Sequence, residues 1–216
     1  MKKTIIILSL TLALSFVACK EDEETITDTI TENPETFEVL ELSTDFGEMY
    51  LHLYDETPLH KANFDSLVRA GFYDGTEFHR CIRNFMIQGG DPNSKDDNRG
   101  NDGSGGPGYT VAAEIDSSKF KHTHGALAAA RTGNSGNPER RSSGSQFYIV
   151  NNVNGTPHLD GEYTTFGMVL SGIEIATTIA KQPQNSSNLP DERIKMIMKY
   201  VELTQAQLDE KGIVIP

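Results

Sequence analysis

FHRCIRNFMIQGGD, residues Phe78 to Asp91, is the stretch on which the reading of this chain turns. It sets one permanent cation, Arg80, and one amide, Gln88, beside an apolar pair, Phe85 and Met86, with no proline to break a ladder. Asn84, a residue that tolerates left-handed backbone angles, stands in the middle, so the stretch reads as a β-hairpin turning there. Cross-strand partners then place Arg80 opposite Gln88, where a guanidinium can hydrogen-bond an amide oxygen and be held in one orientation. An isolated arginine in such a place is ordinarily a surface side chain lying over apolar neighbours.

Working outward, residues 37–42 and 49–54 alternate with period two around Asp45-Phe46-Gly47 and predict two paired strands. Thr57 as N-cap, Pro58 at the first helical position and Gly71 as terminator predict a helix, with Leu59, Ala62, Leu67 and Ala70 at helical spacing. After the hairpin, Pro92 to Gly108 is rich in Asp, Asn, Gly and Ser without periodicity, a length of loop that is usually functional or mobile. It fits neither a calcium loop, because Lys95 and Asp96 fall at the wrong positions, nor a phosphate loop, because Gly105-Gly106-Pro107-Gly108 leads into Tyr109-Thr110-Val111. His122 and His124 lack a third residue at metal-ligand spacing and read as solvated or hydrogen-bonded side chains. Strands are expected over 127–130, 146–150, 164–169 and 194–203, with a short helix from a Ser171 cap to Ile179 and a last turn opened by Thr204 and Gln207. Together these predict an all-β domain, a closed eight-stranded antiparallel barrel capped by two α-helices, an arrangement that leaves no sheet edge.

The N-terminal sixth has a different character. Lys2 and Lys3 precede an apolar run, Ile5 to Val17, that is short for a membrane span, so residues 1–18 read as an export signal. Phe16-Val17-Ala18-Cys19 resembles a bacterial lipobox, which implies lipidation of Cys19 and anchoring to a membrane of the cell envelope, with the domain in the periplasm or at the cell surface. Cys81 is then the one thiol left, and no intrachain disulfide can form. Residues 19–36 hold seven acidic side chains and one lysine and read as a solvated, self-repelling tether; residues 37–204 form the folded domain and 205–216 a C-terminal tail. From Phe37 onward the charge is still −8, which argues against nucleic acid as a partner, since phosphate binding needs a basic face.

The hairpin sequence resembles the signature of the cyclophilins, peptidyl-prolyl cis/trans isomerases. The likeness extends in order through Gly103 to Tyr109, His124 to Leu127 with Ala130-Arg131, Gly144 to Phe147, Leu159-Asp160-Gly161 and Phe166-Gly167. It implies catalysis of X-Pro rotation by Arg80 with Gln88. It also implies a substrate site formed by His79, Phe85, Met86, Ala130, Arg131, Gln146, Tyr148, His158, Leu159 and Tyr163. Neither cofactor nor metal is implied, the partners are proline-containing polypeptides, and a monomer is expected. Two positions depart from the pattern: Tyr148 stands where Phe is commonest, and His158 stands where cyclosporin-sensitive members carry Trp, so weak cyclosporin binding is expected. The loop from Asp91 to Gly103 is also longer than in compact members. The alternative is a proline-segment-binding chaperone or a surface-displayed binding lipoprotein with little turnover.

Overall fold

The computed structural model describes residues 34–216; the signal, Cys19 and most of the tether lie outside the described residues. Ten strands, β1 (Thr36–Thr44), β2 (Gly47–Leu53), β3 (Arg80–Ile82), β4 (Met86–Gly89), β5 (Thr110–Val111), β6 (Ala126–Ala129), β7 (Ser142–Ser143), β8 (Phe147–Val150), β9 (Thr165–Ser171) and β10 (Ile197–Thr204), are joined by three α-helices. These are α1 (Pro58–Arg69), α2 (Ile173–Ile179) and α3 (Gln205–Glu210). Eight strands form one antiparallel sheet in the order β10-β1-β2-β9-β6-β8-β4-β3, and β5 and β7 pair separately.

The expected closed barrel is not found. The edge strands β3 and β10 form no ladder with each other, because β3 is three residues long and β10 begins only at Ile197. Between them stand a single bridge, Glu77 with Lys195, and backbone bonds such as Phe78 N–H to Ile194 O (3.0 Å). Among the described residues three α-helices, not two, accompany the sheet. The third opens with the capping box of Thr204 and Gln207, and Leu208 and Ile213 bury themselves against Val39, Tyr50 and Leu203.

The main core lies on one face of the curved sheet, where Phe147 meets Phe64, Tyr73 and Phe78 edge-on or nearly so, with ring centroids 5.5–6.2 Å apart. Such pairs add to the area term of large buried rings. The helix α1 turns a different face inward from the one its sequence suggests: His60, Phe64 and Val68 are buried, whereas Leu59 is half exposed. A histidine can take the core-facing place because Nδ1 meets Glu114 Oε2 (2.6 Å) and Nε2 meets the Ser142 hydroxyl (2.9 Å). Glu114 also accepts the N–H groups of Leu59 and His60 (3.0 and 2.9 Å), so the helix is capped from 55 residues away and the Thr57 side chain is not used. Likewise Ser171 ends β9 and does not cap α2, whose N-cap is Gly172.

The stretch after the hairpin is also more ordered than a structureless loop. It contains two 3-10 turns, Pro92–Lys95 and Arg99–Asn101. Asp91, fully buried, accepts Asn93 N–H (2.8 Å) and Gly105 N–H (3.0 Å), pinning both ends of the segment to the hairpin.

Candidate functional site

The site is built on β3 and β4. Asn84 adopts φ 53°, and the register sets Arg80 opposite Gln88, Cys81 opposite Ile87 and Ile82 opposite Met86. Alternation then sends Arg80, Met86 and Gln88 to one face and Cys81 and Ile87 into the core. Gly90 follows with φ 84°; a Cβ there would lie 2.4 Å from Ser145 O, so only glycine lets β4 leave the sheet beside β8. Burial pushes the Cys81 thiol up to about 12, so the one cysteine beside the site is not a nucleophile at neutral pH.

Arg80 Nη1 donates to Gln88 Oε1 (3.4 Å) and lies 4.0 Å from Met86 Sδ, its only partners among the described residues. Gln88 Nε2 donates in turn to Gln146 Oε1 (3.0 Å), and Gln146 Nε2 donates to the carbonyls of Gly103 (3.0 Å) and Gly105 (2.8 Å). Each amide in this relay has its oxygen and nitrogen assigned by its neighbours, so the arginine is aimed by the loop at 103–105 acting through two glutamines.

Arg80 forms one wall of a cavity of about 140 Å³ whose other walls are Phe85, Met86, Gln88, Ala130, Arg131, Tyr148, Leu159 and Tyr163. The second cation there is compensated: Arg131 Nη2 lies 3.2 Å from Glu162 Oε2, Nη1 donates to Asn134 (2.7 Å), and the guanidinium covers the Tyr163 ring at 4.5 Å. Arg80 is therefore the cation with N–H groups left over for a ligand. A wider groove of about 530 Å³ continues from Gln88, Ala130 and Arg131 past Gln146, Gly103 to Gly106 and Tyr109.

Gln146 lines the groove only, and two residues of the expected set line neither the cavity nor the groove. His158 is exposed at the rim, stacked on Phe85 (5.7 Å, 23°). His79 is buried, with neither ring nitrogen hydrogen-bonded among the described residues, and lines an adjoining recess that shares Arg80 and Gln88 with the cavity and runs between Arg99 to Ser104 and Asn185 to Leu189.

Two supporting residues have partners that the sequence does not reveal. Asn151, buried, braces the hairpin turn, which Phe85 N–H to Ile82 O (3.2 Å) already closes: Oδ1 accepts Phe85 N–H (3.0 Å) and Nδ2 donates to Ile82 O (3.1 Å). His122 meets Asp160 through Nδ1 (2.9 Å) and the Tyr148 hydroxyl through Nε2 (2.9 Å). The hydroxyl that distinguishes Tyr148 from Phe is thus taken up by a protein partner.

Burial holds the imidazoles of His60, His79 and His122 below the ordinary value of 6.5, opposed in part by Glu114, Asp91 and Asp160 respectively. Below about pH 6.5 the unfolded chain takes up protons that the native state refuses, so stability rises with pH there. The contribution is fully present above about pH 6.5 and is lost as the pH falls from there through the folded pKa values. Urea unfolding at pH 7.5 and 5.5 is expected to give the lower midpoint at pH 5.5; equal midpoints would contradict it.

A curved antiparallel sheet bearing an open groove, a partly aromatic cavity and one oriented cation defines a peptide-binding site whose tool is hydrogen-bond donation. Residues 39–201 match the family model described as "Cyclophilin type peptidyl-prolyl cis-trans isomerase/CLD". The chain is 40% identical over 140 residues to peptidyl-prolyl cis-trans isomerase B of Bacillus subtilis, covering 64% of this chain and 87% of that one. A crystal structure of a cyclophilin-type isomerase of Cryptosporidium parvum superimposes with a TM-score of 0.66 at 30% identity, covering 78% of this chain and 99% of that one. The same protein in the presence of the dipeptide Ala-Pro gives a TM-score of 0.65 at 30% identity, over 77% and 99% of the two chains. This chain belongs to the cyclophilin-type peptidyl-prolyl cis-trans isomerase family.

Proposed function

We propose that the protein is a peptidyl-prolyl cis/trans isomerase acting on X-Pro bonds of exported or envelope proteins. The observation that carries this reading is Arg80, oriented by Gln88 and otherwise uncommitted among the described residues, on the wall of a cavity of about 140 Å³ that Phe85, Met86, Tyr148, Leu159 and Tyr163 also line. Rotation about an X-Pro bond faces a barrier of about 18–20 kcal/mol because of partial double-bond character, and takes tens to hundreds of seconds unaided. The reaction needs no bond broken and no proton consumed. In the twisted state the prolyl nitrogen regains a lone pair, and a permanently charged donor beside it stabilises that state over the planar one. Every 1.36 kcal/mol of such preference is worth tenfold in rate.

Met86, Tyr148 and Leu159 hold the proline ring by apolar contact while the preceding carbonyl swings. Gln88 orients Arg80 and meets the substrate backbone, and Ala130, Arg131 and Gln146 line the groove along which the rest of the peptide runs. An isomerisation assay on a proline peptide tests the reading directly: a rate no faster with enzyme than without leaves only peptide binding.

His158 at the rim offers an imidazole where cyclosporin-sensitive relatives offer an indole. Weak cyclosporin binding follows, because both the apolar area and the indole N–H are missing. Calorimetry is expected to give a dissociation constant above 1 µM, about −8 kcal/mol or weaker; a submicromolar value would refute it.

The domain is carried, on this reading, at a membrane of the cell envelope by lipidated Cys19, with the acidic tether through residue 36 holding it clear of the surface. The support is the lipobox-like run ahead of Cys19. In fractionated cells Cys19→Ser is expected to move the protein from the membrane to the soluble fraction; unchanged partitioning would sink the anchor.

A further inference from the structure

Tyr148, on β8, forms one side of the proline cavity, and the turn carrying Leu159 and Tyr163 forms another. One buried side chain that is not itself part of the cavity wall joins the two. His122 is 2% exposed, and both its backbone N–H and its ring Nδ1 meet Asp160 Oδ1, at 2.8 and 2.9 Å. Its Nε2 lies 2.9 Å from the Tyr148 hydroxyl and 3.3 Å from that of Thr165.

The tautomer follows from the partners. An ionised carboxylate only accepts, so the ring proton sits on Nδ1 and points at Asp160, which leaves Nε2 of the neutral ring to accept from Tyr148 O–H. The imidazole and phenol rings lie nearly parallel, 5.9 Å apart at 12°, and Tyr163 meets both edge-on, at 83° and 85°. Lys121 stands 3.9 Å from the other oxygen of Asp160.

We infer that His122 is a positioning residue for proline binding: by tying the Tyr148 hydroxyl to Asp160 it fixes the separation of two cavity walls without touching the substrate. This rests on the reading of the cavity as the proline socket. A phenylalanine at 148 would have no such tie, so the hydroxyl and the histidine act as one unit. The ring is gripped alike in the planar and twisted states, so loosening the grip raises KM far more than it lowers kcat. Loss of the Arg80 donor has the opposite signature.

The test is a double-mutant cycle on the full chain, with KM and the dissociation constant of a blocked Ala-Ala-Pro-Ala tetrapeptide as readouts. His122→Asn keeps an N–H for Asp160 but is too short to reach Tyr148, and Tyr148→Phe removes the hydroxyl alone. Each is expected to weaken binding about three- to tenfold, the value of one net hydrogen bond, with the double variant no weaker than the worse single one. Additive losses, or wild-type binding in a folded His122→Asn, would overturn the inference. If His122→Asn does not fold, Tyr148→Phe decides alone, and wild-type affinity there overturns it. Wild type that binds the peptide without accelerating its isomerisation removes the isomerase reading and leaves this one to be judged on the dissociation constants.

Discussion

Arg80→Ala is expected to lower kcat/KM for proline-peptide isomerisation by about 100- to 1,000-fold, the usual cost of removing one oriented donor from a transition state. The loss should fall mainly on kcat, because the ring is still held by Met86, Tyr148 and Leu159 while the stabilisation of the twisted bond is gone. Arg80→Lys is expected to recover little. An ammonium on a flexible stem offers no planar fork for Gln88 Oε1 to fix, and a donor that is not aimed must be ordered during the reaction. The substitution costs the fold little, since Arg80 is half buried and makes only a long bond to Gln88 and a contact with Met86 sulfur. Stopped-flow isomerisation beside a urea unfolding curve checks both halves. An Arg80→Ala protein with wild-type turnover would remove the proposed chemistry, and one with a collapsed unfolding midpoint would recast Arg80 as structural.

Asn151→Ala is expected to destabilise the domain by about 1–2 kcal/mol, from two side-chain hydrogen bonds lost at partly buried backbone groups that keep their bond to each other (Phe85 N–H to Ile82 O, 3.2 Å). The Phe85 N–H and the Ile82 carbonyl flank the turn at residues 83–84, and β4 pairs on one side with β8, which runs straight into Asn151. The Asn151 backbone N–H also donates to Phe85 O (3.1 Å), so main chain and side chain hold the hairpin together. Asn151→Asp separates the parts: the carboxylate still accepts from Phe85 N–H but loses the donor to Ile82 and sets an unpaired charge in a buried place. It should be no more stable than the alanine variant. Because Phe85 and Met86 line the cavity, a KM rise should accompany the loss of stability. Denaturation midpoints within about 0.5 kcal/mol of wild type would show that the turn does not depend on this side chain.

The hairpin was legible because its information is local. A left-handed turn residue, two short flanks of alternating side chains and a following pair of glycines fix the register, and the register puts Arg80 across from Gln88. The fingerprint segments that carry the family likeness are legible for a similar reason, since they are short runs whose residue types are tied to one backbone path. The helix start at Pro58 and the capping box at Thr204 belong to the same class.

What was misread depended on distant partners. The buried face of α1 could not be chosen from hydropathy, because His60 becomes a core residue only once Glu114 and Ser142 arrive to satisfy its ring. The segment after the hairpin looks unstructured in composition, yet Asp91 closes it through a bond to Gly105, and its carbonyls at Gly103 and Gly105 aim the glutamine relay. Alternating strands predicted a barrel without edges, whereas β3 is too short and β10 starts too late for the two to pair. His122 was read correctly as a hydrogen-bonded side chain in place of a metal ligand, but its partners were not legible, since Tyr148, Asp160 and Thr165 lie 26, 38 and 43 positions away.

Sequence alone determined the hairpin, the cation it presents and the family to which the chain is similar, since these rest on backbone angles and side-chain alternation over a few residues. Tertiary structure decided which side chains hold that cation and the cavity walls in place, because a buried donor or acceptor takes its partner from whatever the fold brings within about 3 Å, at any distance along the chain.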